Sequence, residues 1–187
     1  MNRQIYIDLG CGNGDTVEQF MKNHANYEAY GFDPYPFFND KLNALTYKYN
    51  FLYEKKAAWT NNNDKVFRMG GKSGAASSII LFKRIKRIQS TKTVICFDFS
   101  AWIIKNFEKN DYIYLRMDIE ASEYYVLDKM IKNGSIYYID VLNVEFHKGR
   151  KIIGEDNKNK IEKMHSEILS ILENIESLIP NRKIHTK

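Results

Sequence analysis

Two cysteines, Cys11 and Cys96, are too few for a disulfide framework and are expected as reduced thiols of a cytoplasmic protein. No run of about 18 apolar residues occurs, which excludes a membrane-spanning helix. No charged-then-apolar leader precedes Ile5, so no export signal is expected. No internal repeat and no low-complexity linker divides the chain, and its 187 residues suit a single domain over 1–187. Acid is in modest deficit: 23 Asp and Glu against 28 Lys and Arg give a formal charge of +5, which excludes an acidic solvating chain. Proline is scarce, at three residues, so glycine carries most of the punctuation.

What is present is an alternation of strand and helix signals. Ile5, Ile7 and Leu9 alternate with Tyr6 and Asp8. Glycines 10, 12 and 14 break the run, and Val17, Phe20 and Met21 follow at helical spacing. A second strand runs through Tyr30 and Phe32 and exits at Asp33-Pro34. A helix is predicted over residues 39–47 and a third strand over 51–58. Residues 65–97 read as irregular and contain a glycine loop around 70–74. Further strands are predicted at 93–97, 112–117 and 139–146, with helices over 98–107 and 122–132. A last helix, residues 155–179, carries Ile161, Met164, Ile168, Ile171, Ile175 and Leu178 as an apolar seam, for packing on the sheet or for a dimer. The pattern predicts an α/β fold: a three-layer, mostly parallel sheet.

The segment Asp8-Leu9-Gly10-Cys11-Gly12-Asn13-Gly14 is the most informative. A glycine turn between a strand end and a helix start builds a small-molecule site at the sheet's edge. Its spacing, G-x-G-x-G, is tighter than the G-x-G-x-x-G of dinucleotide sites. With Asp8 before it, the loop suits a nucleoside bearing an amino acid, such as S-adenosylmethionine. Asp33, at the end of the second strand, stands where an acid would accept hydrogen bonds from ribose hydroxyls.

Six stretches carry a resemblance: IDLGCGNGDT, GFDPYP, AAW, SSI at residues 77–79, RMDIEASEYYVL and NVEFH. The chain resembles the class I, Rossmann-like S-adenosylmethionine-dependent methyltransferases and, more narrowly, the FkbM family. The two last motifs, D-x-E-x-x-E and E-x-H, narrow it. Ala121 stands where that family usually has Gly, and Arg116 where Lys is frequent. The resemblance implies that Asp8, Gly10, Cys11, Gly12 and Gly14 form the methionine side of a cofactor pocket. It implies that Thr16 caps the first helix, that Asp33 holds the ribose, that Ala58 and Trp59 lie beside the adenine, and that Asp118 adjoins the transferred methyl. S-adenosylhomocysteine would be the product. A class I sheet of this kind usually ends in an antiparallel hairpin, for which the residues after His147 leave no room, so the fold is expected to be shortened there, with a homodimer as one way to complete it.

Methyl transfer needs alignment and, for a hydroxyl acceptor, a base or a metal. Asp118, Glu145 and His147 are the catalytic candidates, because all follow the ends of two neighbouring strands. Asp118 and Glu145 could face one cleft, with a divalent cation held by them and His147 as the alternative; no metal ligand is assigned. Ser77, Ser78 and Glu120 are candidates for the acceptor side, with Glu120 and Glu123 alternatively acids at a helix start.

The positive charge is concentrated. Residues 65–97 hold Lys65, Arg68, Lys72, Lys83, Arg84, Lys86, Arg87 and Lys92 and no acid, so the remainder of the chain is slightly acidic. This basic insertion is expected near the acceptor, with Lys83, Arg84 and Arg87 contacting an anionic group. O-methylation of a hydroxyl on a small molecule or sugar is the leading expectation. RNA methylation and a non-catalytic cofactor-binding subunit are the alternatives.

Overall fold

The computed structural model describes residues 2–70, 76–179 and 182–187. The elements run β1 (Gln4–Leu9), α1 (Asp15–Asn23), β2 (Glu28–Phe32), α2 (Asn39–Lys48), β3 (Phe51–Glu54), β4 (Ala57–Trp59), β5 (Lys65–Gly70), β6 (Ile88–Val94), β7 (Cys96–Asp98), α3 (Phe99–Asn106), β8 (Tyr112–Met117), α4 (Glu123–Lys132), β9 (Val141–Val144), α5 (Glu155–Leu178) and β10 (Lys183–Thr186). Six strands form the central sheet in the order β10-β9-β8-β1-β2-β3, and every neighbouring pair is parallel.

β1 lies inside that sheet, and from Ile5 to Leu9 every residue is buried because helices cover both faces. The two-residue period of the strand sorts its side chains into two cores. Ile5, Ile7 and Leu9 join residues of α3, α4 and α5. Tyr6 joins Val17 and Met21 of α1 and Leu42 and Leu45 of α2. This gives the expected three layers.

Three departures from the sequence pattern stand out. The strand expected over 51–58 is two. The chain turns where Lys56 N donates to Glu54 O at 2.8 Å, after which β4 leaves the sheet to pair in parallel with β7. Residues 65–97 are irregular only in part: β5 and β6 form an antiparallel pair, while residues 76–87 belong to no helix or strand. Of the glycine loop expected at 70–74, Gly70 ends β5, and residues 71–74, including Lys72, lie outside the described residues. At the other end the sheet is short as expected, for β10 adds to β9 in parallel and among the described residues one strand stands where a hairpin would close a longer sheet.

The third departure is the seam of α5. The helix packs on α4 and β10 through Ile161, Ile168, Leu172 and Ile175, while Ile171 and Leu178 are exposed. A straight helix drifts against a strict alternation of three and four residues, so Leu172 takes the place expected of Ile171. Among the described residues no helix is long and apolar enough to cross a membrane.

Candidate active site

The glycine turn ties three strand ends together. Gly10 N and Cys11 N both donate to Phe32 O, at 2.8 and 3.3 Å, and Gly12 N donates to Asp33 Oδ2 at 2.9 Å. Asp118 N, just past β8, donates to Leu9 O at 2.9 Å. Gly10 has φ +80°, and a Cβ there would lie 2.0 Å from Asp118 O. Only glycine permits this junction of β1 and β8. Gly14 starts α1 at φ +81°, and a Cβ on it would press on Leu45 and Leu42, at 2.6 and 2.9 Å. Packing against α2, not a ligand, fixes that glycine.

Above these ends lies a cavity of about 360 Å³, within the range of about 300–1,000 Å³ usual for small-molecule sites. Gly10, Cys11, Gly12, Thr16, Asp33, Ala58 and Asp118 of the expected cofactor set line it, as do Ser77, Ser78 and Glu120 of the expected acceptor set. Phe67 and Ile79 add apolar wall from the 65–97 segment, and Pro34 and Tyr35 from the exit of β2. Its acids, Asp15, Asp33, Asp118 and Glu120, outnumber its bases, Lys56 and Arg116.

The other expected site residues lie elsewhere, each for a physical reason. Asp8 is fully buried: Arg116 Nη1 donates to its Oδ1 at 2.8 Å, and Thr16 Oγ1 and Tyr6 OH donate to its Oδ2 at 2.5 and 3.3 Å. Its negative charge is therefore matched inside the protein rather than offered to a ligand ammonium. Thr16, spent on Asp8, does not cap α1. The start of that helix is served by the Asn13 side chain, which accepts from Asp15 N at 3.1 Å. Trp59 is a core aromatic, 5.3 Å from the Tyr125 ring with Lys65 Nζ 4.5 Å above it.

Glu145 is 42% exposed and does not line the cavity; it faces Lys151 at 3.8 Å and His147 Nε2 at 4.0 Å, and its negative charge still helps to raise Asp118. Lys83 is buried and ion-paired with Glu120, whereas Arg84 and Arg87 are exposed. Burial pushes the Cys11 thiol well above its usual value, so it lines the cavity as an inert surface.

His147 does not line the cavity either, but it organises one wall. Its backbone N–H and its Nδ1 both meet Glu123 Oε1, at 2.7 and 3.2 Å. Its Nε2 faces Glu120 Oε2 at 3.3 Å and Asp118 Oδ1 at 3.8 Å. Burial alone would favour the neutral ring, yet hydrogen bonds to Glu120 and Glu123 outweigh it and push the pKa up to about 9. His147 is thus an imidazolium at neutral pH. For Glu120, burial pushes up, but His147 and Lys83 together hold it below its ordinary value. Asp118 is raised, because burial exceeds the help it receives from Arg116, whose Nη2 lies 3.0 Å from its Oδ2. Asp118, Glu120 and His147 present atoms within 4.8 Å of one another, a spacing that would admit a metal ion. In this structure Lys83 and the imidazolium already supply cationic charge to the two carboxylates.

The turn carrying Glu120 is strained. Glu120 and Ala121 have φ +53° and +79°, a left-handed pair costing roughly 1–2 kcal/mol per non-glycine residue. This conformation accounts for the glycine expected at position 121. Ser78 Oγ donates to Glu120 O at 2.7 Å, and Lys83 holds the Glu120 carboxylate, so the 65–97 segment pins the turn. Arg116 and Ser122 were not singled out by the sequence pattern as site residues, and Glu123 stood there only as one of several acids with a helix start as its alternative. Glu123 is the first residue of α4, just past the left-handed turn, and only the fold reveals that it is buried against His147.

A parallel sheet with a glycine turn, a post-β2 acid and a post-β8 acid around one cavity defines a Rossmann-like methyltransferase. Residues 2–177 match the Methyltransferase FkbM domain, and the chain belongs to that family. No curated protein and no solved structure matches the chain.

Proposed function

We propose that this methyltransferase takes its methyl group from S-adenosylmethionine and delivers it to a hydroxyl oxygen of a small molecule or sugar. The observation that carries the proposal is a single cavity bordered by the Gly10 and Gly12 turn, by Asp33 and by Asp118. The acid-rich lining suits a cationic nucleoside. A Cβ on Gly12 would meet nothing within 4 Å, so the turn leaves open space for a ligand.

Asp33 Oδ1 and Oδ2 each accept one backbone N–H, from Tyr35 at 2.7 Å and Gly12 at 2.9 Å, and keep lone pairs for two ribose hydroxyls. Burial raises Asp33 to about 6 against those two hydrogen bonds, so it is mostly ionised at neutral pH. When bound, S-adenosylmethionine supplies a methyl group on a sulfonium sulfur, whose transfer leaves a neutral thioether.

Asp118 is the base. Arg116 fixes its Oδ2, and burial makes it a better proton acceptor than a free carboxylate. As the acceptor oxygen forms its bond to the methyl carbon, its proton passes to Asp118. The protonated carboxyl then returns that proton to solvent when the product leaves. His147 and Glu120 act through Asp118 and the turn after it, and are positioning residues. Exposed Arg84, Lys86, Arg87 and Lys92 favour an acceptor bearing an anionic group, RNA being the second candidate.

Calorimetry with S-adenosylmethionine tests the donor. Binding by the native chain, weakened at least about tenfold in Asp33→Ala, supports it, because hydrogen bonds to a charged group are worth roughly 1.5–3 kcal/mol. No binding by the native chain sinks the proposal. Transfer of labelled methyl to pooled glycans and hydroxylated metabolites tests the acceptor, and transfer to RNA alone would overturn the acceptor class.

A further inference from the structure

The cavity wall contains three serines, and their hydroxyls are not equivalent. Ser77 Oγ accepts from Gly70 N at 3.1 Å. Ser78 Oγ donates to Glu120 O and accepts from Ile80 N at 3.0 Å. Both expected acceptor-side serines therefore bond to the protein's own backbone, Ser78 as donor and acceptor and Ser77 as acceptor. Ser122 does not. It lines the same cavity, it is 1% exposed, and its Oγ has no hydrogen-bond partner among the described residues.

Position explains why the hydroxyl is left over. Ser122 sits at the start of α4, where a serine usually accepts from an N–H two or three residues on. Here its backbone is already helical, at φ −81° and ψ −19°, and no side-chain cap forms. The N–H groups of Tyr125 and Val126 go to its carbonyl instead, at 3.1 and 3.2 Å. Buried hydroxyls in folded proteins are nearly always paired, and an unpaired one calls for a missing partner. The two left-handed residues just before Ser122 hold it in this place.

We infer that Ser122 is a ligand-contacting residue, its hydroxyl kept for a polar atom of a molecule bound in the cavity. The chemistry it recognises is a neutral hydrogen-bonding group, a hydroxyl or an amine nitrogen. Either the methyl donor or the acceptor could supply that group. The inference rests on the methyltransferase site proposed above.

The test is Ser122→Ala, read in three ways. In thermal melting without ligand, the variant should match or exceed the native chain, because no structural hydrogen bond is lost. In calorimetry with S-adenosylhomocysteine, a loss of roughly three- to tenfold, the size of one hydrogen bond, assigns the contact to the donor. Unchanged affinity with a similar rise in KM for the best acceptor from the labelled-methyl screen assigns it to the acceptor. Equal affinity and equal KM overturn the inference. A variant that melts lower or fails to fold also overturns it, since the hydroxyl would then have a structural partner. If the native chain itself fails to bind S-adenosylhomocysteine, the site proposal fails first.

Discussion

Lys83→Met tests how the 65–97 segment is attached to the cavity wall that carries Asp118 and Glu120. Lys83 is 3% exposed, and its ammonium pairs with the Glu120 carboxylate, itself mostly buried. Methionine keeps much of the stem and removes the charge. Removing one partner of a buried pair typically costs about 3–5 kcal/mol, because the other is left uncompensated. Glu120 retains His147 Nε2 at 3.3 Å as a second cation, so the expected loss lies at the low end, about 3 kcal/mol. For a chain of this size that corresponds to roughly 6–12 °C in melting temperature. Denaturant unfolding of Lys83→Met, Glu120→Gln and the double variant closes a thermodynamic cycle. The coupling should reach about 1–3 kcal/mol, with the double variant more stable than the sum of the singles predicts. A melting point within about 2 °C of the native chain, or a coupling below about 0.5 kcal/mol, would refute the claim that this pair pins the turn.

Three further outcomes are expected. Gly10→Ala should destabilise by roughly 2–5 kcal/mol, the sum of left-handed strain and overpacking against Asp118 O, and should abolish donor binding in calorimetry. His147 has a folded pKa of about 9, above its unfolded value, so its stabilisation is full below the unfolded value, about 6.5, and is lost as pH rises through 9. Unfolding curves should therefore show stability falling between those pH values, and His147→Gln should flatten the fall. Joint neutralisation of Arg84, Lys86 and Arg87 should raise KM for an anionic acceptor severalfold, more so at low salt, while affinity for S-adenosylhomocysteine stays unchanged. A uniform loss of both would make these residues structural.

The central sheet was legible because its signals are local. Ile5, Ile7 and Leu9, the glycines, and Asp33 at the next strand exit define a βαβ unit whatever else surrounds it. The split of 51–58 into β3 and β4 was not legible. Nothing in Glu54-Lys55-Lys56 marks a turn, and β4 exists because Cys96, Phe97 and Asp98 come back to pair with it. The hidden pairing of β5 with β6 has the same cause, since the residues of β6 are almost all exposed and show no buried face to read. Long-range pairing decides both, and a one-dimensional pattern does not carry it.

For the site, residue type was legible and partnership was not. Acidic residues flanking the sheet's upper edge all look alike in the sequence, yet the fold gives them different work. Asp8 is locked to Arg116, Glu123 to His147 and Glu120 to Lys83, which leaves Asp118 and Asp33 as the deeply set carboxylates lining the cavity with bonding capacity for a ligand. The same sorting applies to the basic segment. Its eight cations look uniform, but Lys83 is consumed by an ion pair and the Arg68 guanidinium donates to the carbonyls of Ile80 and Lys83, at 2.5 and 2.9 Å. A charge that reaches solvent can recognise an acceptor. A charge that is paired in the interior can only hold a wall in place, and in this protein the wall it holds is the one that carries Asp118.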